Sequence, residues 1–158
     1  MAYYGEPELY SQTVTSDGWI RSGDIGYFDQ EGYFFILERV KNLLKVQGIH
    51  FTTTDIEVII NEIEGVDQSC VVGILAGDEG NDVVYAFVIK DPGAVDLSEQ
   101  KIIDYVNSKV IEQKRINGGV QFVTEFPSTV TGKIKTVELK KMAKEIHEMK
   151  KLKKYLEV

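Results

Sequence analysis

The 158-residue chain has a single cysteine, no apolar stretch approaching the roughly eighteen residues of a membrane-crossing helix, no internal repeat and no low-complexity segment. One thiol, Cys70, excludes an internal disulfide and a cysteine-based metal site. Its place in the apolar run Cys70-Val-Val-Gly-Ile-Leu75 marks it as a strand-core residue. The first residues, Met-Ala-Tyr-Tyr-Gly-Glu, lack the basic segment and apolar run of a secretory signal. A cytoplasmic or organelle-matrix setting is therefore expected. Positive charge is also scarce overall: the formal net charge is -7, which argues against general nucleic-acid affinity.

The composition that remains, 43% hydrophobic and 27% charged, is that of an ordinary folded protein rather than a disordered one. Charge is uneven along it. From Lys133 onward nine lysines face four glutamates, which gives this tail about +5 and leaves about -12 for the rest. Such a tail is either a solvated lysine face or a surface for an acidic partner, a nucleotide included.

The first forty residues read as short strands split by turns. Gly18-Trp-Ile-Arg21 is one, and aromatic enrichment around the glycine-closed turn Asp29-Gln-Glu-Gly32 predicts a hairpin over 25 to 37. A second strand pair is expected at Leu43 to Gln47 and Ile49 to Phe51. Thr54, with Glu57 three residues on, reads as a capping box opening a helix through about Glu64. A strand over Ser69 to Leu75, a solvated loop Gly77-Asp-Glu-Gly-Asn-Asp82 without the ligand spacing of a calcium loop, and a strand over Val83 to Ile89 follow. Ser98 is placed to cap a helix over 99 to 112, with a strand next at Val120 to Thr124. Leu139, Met142, Ile146, Met149, Leu152 and Leu156 recur at three- and four-residue steps, the mark of a long amphipathic helix packing on its own domain.

Hairpins first and helix–strand alternation later predict an α+β protein of two pieces. The first is a small β-rich piece over 1 to 39, the join lies at Val40 and Lys41, and a compact α+β piece with a central sheet flanked by helices covers 42 to 158. A forty-residue β piece buries too little surface to be stable alone, so it reads as the remnant of something larger.

Between the last strand and the long helix lies Pro127-Ser-Thr-Val-Thr-Gly-Lys-Ile134, a turn that presents Lys133 directly after a glycine. Taken by itself it is either a solvated loop or a way of delivering a point charge to an anion.

Three elements in register, Gly18-Trp-Ile-Arg-Ser-Gly-Asp-Ile25, Glu38-Arg-Val-Lys-Asn-Leu-Leu-Lys-Val-Gln-Gly48 leading to Asp55-Ile-Glu57, and Pro127 through Lys133, resemble the C-terminal third of the adenylate-forming acyl-CoA synthetases. The likeness is to the branch of the 4-coumarate–CoA ligases and firefly luciferases, and it runs from about Tyr3 to about Lys140. It implies a two-step reaction in which a carboxylate attacks the α-phosphate of ATP to give an acyl adenylate, and a thiol, usually that of CoA, then displaces AMP. The C-terminal domain rotates between the steps.

On that resemblance Lys133 bridges substrate carboxylate and α-phosphate during adenylation. Asp24 accepts hydrogen bonds from the ribose hydroxyls, Arg39 reaches the ribose and phosphate edge, and Lys41 occupies the hinge. Lys45 and Gly48 belong to the element that faces the active site for thioester formation, Gly48 lining the pantetheine channel. Bland alternatives stand beside each: a turn aspartate at 24, a surface ion pair at Arg39, a plain β-turn at Gly48. Departures from the family pattern are Glu38 for aspartate, Gln47 for a second lysine and His50 for glutamine, and His50 reads as structural.

The resemblance also implies ATP, Mg2+ and CoA as reactants and cofactor of a complete enzyme, a carboxylic acid substrate, and a large N-terminal domain as partner. That domain supplies the phosphate-gripping loop, the carboxylate pocket and the Mg2+-associated acid, none of which this chain contains. It is thus expected to be a fragment, inactive alone, with no metal site of its own. The ending Tyr155-Leu-Glu-Val158 does not match the Ser-Lys-Leu peroxisomal address that relatives use. Two other outcomes stay open: an oxidative second step of the luciferase kind, and a non-enzymatic module that binds through its lysine-rich last helix.

Overall fold

The computed structural model describes residues 7–76 and 80–156. The chain divides into two compact units, Met1–Leu43 and Leu44–Val158.

The first unit opens with a short helix, α1 (Pro7–Thr13), where the sequence alone predicts only strands and turns. Proline at the first helical position and Glu8 in the first turn favour a helix start. Ser11 and Thr13 hydroxyls donate back to the Glu8 and Leu9 carbonyls at 2.8 and 2.7 Å and close the short helix that forms. The strand expected over Gly18–Arg21 shrinks to one bridge between Val14 and Ile20. The hairpin itself forms as β1 (Asp24–Phe28) and β2 (Phe34–Arg39), antiparallel, with Asp24 opposite Arg39 and Phe28 opposite Phe34. Asp29 Oδ1 accepts the Glu31 and Tyr33 amides to shape the turn, and Tyr27 stacks on Phe35 at 4.9 Å. Apolar side chains stay open on both faces of this ribbon: Phe34 at 79%, Ile36 at 67% and Phe28, opposite Phe34, at 70% on one, and Leu37 at 65% on the other.

The second unit begins with the hairpin β3 (Leu43–Val46) and β4 (Ile49–Thr52). Its two linking residues, Gln47 and Gly48, both have positive φ, +48° and +79°, the hallmark of the two-residue turn whose twist suits a hairpin. Helix α2 (Thr53–Ile60) follows, and here the capping frame differs from the expected Thr54–Glu57. Thr52 is the cap: its backbone is extended and its hydroxyl accepts the Asp55 amide at 3.2 Å. This frame sets Ile56 and Ile60, one helical turn apart, fully in the core. Glu57 is thereby freed to accept the Val71 amide at 2.7 Å, and the helix ends at Ile60 rather than Glu64.

Strands β5 (Val66–Leu75) and β6 (Asp82–Lys90) pair antiparallel, and β7 (Gly119–Phe122) joins β6 in parallel after the crossover helix α3 (Glu99–Lys109). Ser98 caps α3 as expected, accepting the Lys101 amide, but the helix stops at Lys109, three residues short of its expected end. Alternation along β6 splits the core in two. Val84, Ala86 and Val88 face Ile56, Ile60, Ile102 and Val106 of α2 and α3, whereas Tyr85 and Phe87 face Leu139 and Ala143 of α4 (Thr136–Leu156) on the other side. The result is an α+β unit with a sheet between helices. Cys70 lies in the second cluster, where burial, with Glu57 beside it, pushes its thiol up to about 12.

Only the first half of α4 packs as the apolar repeat predicts. Met142 and Ile146 join Leu139 against the sheet, and His147 and Lys150 reach Tyr85 Oη and the Gly118 carbonyl at 3.0 and 2.7 Å. Beyond that point Leu152 and Leu156 of the same stripe are exposed. Among the described residues, no helix is long and apolar enough to cross a membrane. Part of the acidic loop, residues 77–79, lies outside the described residues.

Candidate functional site

Lys133 stands at the end of a tightly bonded turn. Ser128 bridges Ile134, the Thr129 amide donates to the Lys133 carbonyl at 2.8 Å, and the Lys133 amide donates back to Thr129 Oγ1 at 3.1 Å. Gly132, at φ +80°, closes the loop with its amide on the Thr129 carbonyl, and the Lys135 amide seals the base on Pro127. A rigid backbone therefore carries a solvent-exposed ammonium that has no hydrogen-bond or ion-pair partner among the described residues. Its neighbour Lys135 is different, pairing with Glu138 at 3.1 Å.

Lys45 lies on β3 with its side chain exposed. Its amide donates to Asp82 Oδ2 at 2.8 Å, and the amide of Gln47, the first residue of the turn that follows β3, donates to Asn81 Oδ1 at 2.7 Å. Gln113 Nε2 donates to Gln47 Oε1 at 3.1 Å. Gly48 is exposed, and a Cβ there would meet nothing within 4 Å, so within this chain glycine serves the positive φ and not a close approach. His50 is exposed next to it.

In the first unit Asp24 and Arg39 form one ion pair, Nε to Oδ1 at 2.7 Å, with Arg39 Nη1 also on the Ser22 carbonyl at 3.2 Å. Lys41 sits in a single 3-10 turn, Val40–Asn42, stapled by the Glu38 carboxylate, which accepts both the Arg39 amide and Asn42 Nδ2.

The Asp55-Ile-Glu57 segment turns out to build the scaffold. Asp55 pairs with Lys114 at 2.7 Å. Partial burial pushes its carboxyl up, but hydrogen bonds from Lys114 and Thr52 together with the Lys114 charge outweigh that and hold it below its ordinary value. Sequence reasoning misses Asn81, Asp82 and Gln113. The first two fall in a stretch that reads as a solvated loop, yet their side chains grip the edge of β3.

Two grooves open on the second unit, one of about 700 Å³ beside Gly65, Ala94, Leu97 and Tyr105, another of about 480 Å³ beside Leu75, Asp82, Lys140 and Lys144. Neither is lined by Lys133, Lys45 or Gly48. Lys133 and Gly48 stand on exposed turns and Lys45 at an exposed position of β3. Among the described residues there is no group of three or more His, Cys, Asp or Glu that could hold a metal ion.

Known proteins resemble this chain over most of its length. Luciferin 4-monooxygenase of Luciola mingrelica is 35% identical over 144 residues, covering 91% of this chain and 26% of that protein. Probable 4-coumarate–CoA ligase 3 of Dictyostelium discoideum is 33% identical over 140 residues, covering 89% and 25%. ATP-bound MatB from Rhodopseudomonas palustris superposes with a TM-score of 0.76 at 29% identity, over 92% of this chain and 28% of that one. The chain thus spans about a quarter of the length of the relatives it matches. The family model for the AMP-binding enzyme C-terminal domain matches residues 55–133, half of the chain and ending on Lys133, and this chain belongs to that family.

Proposed function

We propose that this chain is the mobile C-terminal domain of an ATP-dependent carboxylate–CoA ligase, working with a large N-terminal domain that binds most of the substrates. In the first step a carboxylate oxygen attacks the α-phosphorus of ATP and pyrophosphate leaves. In the second the CoA sulfur attacks the acyl carbonyl and AMP leaves. Lys133 supplies the cation that lets carboxylate and phosphate approach and that offsets charge on the phosphoryl oxygens in transit. Asp24 and Arg39 bind the ribose side of the nucleotide. Lys41 lies at the hinge, two residues from the division between Leu43 and Leu44. Lys45 and Gly48 face the site for the thiol step.

The observation that carries this reading is the exposed, unpartnered ammonium of Lys133 on a backbone-locked turn, in a chain whose relatives include named CoA ligases. The ATP bound to MatB supports ATP as the nucleotide. The apolar ribbon left open on both faces of β1–β2 supports a large protein surface as its partner, since Phe34 at 79% and Leu37 at 65% exposure are costly to leave in water. Joining this chain to the remaining part of a 4-coumarate–CoA ligase and measuring pyrophosphate release tests the assignment. Release that falls steeply on Lys133→Ala supports it, and equal release from both forms contradicts it.

A second reading has one observation in its favour. Leu152 and Leu156 lie exposed on the last turns of α4 beside Lys151, Lys153 and Lys154, the make-up of a helix that meets an acidic surface. Salt-sensitive sedimentation with anionic vesicles supports this binding module; no sedimentation at low salt contradicts it. An oxidative second step in place of thioester formation is separated by assaying acyl-CoA directly.

A further inference from the structure

The hydrogen bonds to the Lys45 amide on β3 and to the Gln47 amide on the turn that follows it have no part in pairing β3 with β4, and they come from a distant place in the chain. Antiparallel strands joined by a two-residue turn use alternate amides for each other, and the amides between them point outward. Here the outward amides of Lys45 and Gln47 are taken by the side chains of Asp82 and Asn81, 37 and 34 residues away, at 2.8 and 2.7 Å. Asp82 and Asn81 stand at the start of β6, the central strand of the sheet, where Asp82 lies opposite Leu75. Gly73 completes the fit: a Cβ there would strike Leu44 of β3 and press on Asp82.

We propose that Asn81 and Asp82 are positioning residues for the thiol-transfer step. They peg the Lys45–Gly48 hairpin to the central strand so that its turn lies at a fixed height and register when it faces the acyl adenylate. Charge and hydrogen-bond geometry make the pegs suited to this. A carboxylate on a backbone amide is among the stronger hydrogen bonds, and two acceptors spaced to match two amides allow no slip by a single residue. The opposite task, adenylation, uses Lys133 on a turn held by hydrogen bonds among its own residues, Pro127 to Lys135. The pegs should therefore act on one half-reaction and spare the other. This proposal rests on the ligase reading above.

The test uses this chain joined to the remaining part of a 4-coumarate–CoA ligase, with the two half-reactions assayed apart: pyrophosphate release for the first, and acyl-CoA formation from preformed acyl adenylate for the second. Asn81→Ala with Asp82→Ala is expected to slow acyl-CoA formation about tenfold or more while pyrophosphate release stays within about twofold. Asp82→Asn, which keeps an oxygen acceptor, is expected to restore most of the rate. Amide hydrogen exchange on the 158-residue chain gives the structural readout: exchange at Lys45 and Gln47 should quicken in the double variant while the β5–β6 amides stay protected. Loss of both half-reactions together overturns the proposal, as does unchanged acyl-CoA formation or unchanged exchange at those two amides. A native fusion that releases pyrophosphate but makes no acyl-CoA from adenylate marks the failure of the ligase reading itself, recognisable because it precedes any substitution.

Discussion

Arg39 Nε lies 2.7 Å from Asp24 Oδ1, across the end of the first hairpin, so the two residues expected to hold one nucleotide already hold each other. The pair is half open to water, with the arginine side chain 56% exposed, and such pairs contribute about 0–1 kcal/mol to stability. The contact fixes the orientation of the Asp24 carboxylate.

Asp24→Ala should accordingly leave folding stability within about 1 kcal/mol. In the enzyme completed with an N-terminal domain it should raise the KM for ATP about tenfold or more, as expected when charge-assisted hydrogen bonds to the ribose are lost. Steady-state kinetics across ATP concentrations checks this, and an unchanged KM would return Asp24 to an ordinary turn aspartate.

Gly48→Ala places a side chain in open space but on a backbone at φ +79°, so the cost is conformational and about 1 kcal/mol. Gln47→Gly should do the reverse or be neutral, because Gln47 already bears a positive φ of 48°. Gly73→Ala should be worse than either, since the added methyl meets Leu44 inside the core. Urea unfolding of the three variants orders them.

The Asp55–Lys114 pair makes stability fall in acid. The Asp55 carboxyl is held below its ordinary value of 3.8, so its contribution is present above that pH and is lost as pH drops through the lower folded-state value. Lys114→Gln should flatten that part of the profile while leaving the neutral-pH fold intact. Unfolding midpoints measured from pH 7 down to about 3 report the difference.

Cys70, buried and with its thiol raised to about 12, should resist thiol reagents in the folded chain and react at once when the chain is unfolded in urea. Rapid labelling under native conditions would show that the cluster formed with Tyr85, Phe87 and Leu139 opens readily.

Much of this molecule is legible in its residues, and the places where it is not have physical causes. The β1–β2 hairpin, the cap at Ser98 and the long last helix follow from aromatic content, a side-chain oxygen and a repeat, all local signals. Three threonines in a row offer overlapping capping frames, and only the burial of Ile56 and Ile60 selects Thr52 over Thr54. Helix α1 is too short to show periodicity. The bonds from Asn81 and Asp82 to β3 span more than thirty residues, and no local pattern announces them. The same holds for the exposed end of α4, whose apolar stripe continues in sequence past the residues that pack on the sheet.

The central claim is that the Lys133 ammonium is the cation of the adenylation step, and pyrophosphate release by the joined enzyme measures it most directly. The expected loss on Lys133→Ala is about a hundredfold to a thousandfold, with acyl-CoA formation from preformed adenylate kept within a few-fold of native. Equal pyrophosphate release from the native and Lys133→Ala forms contradicts it.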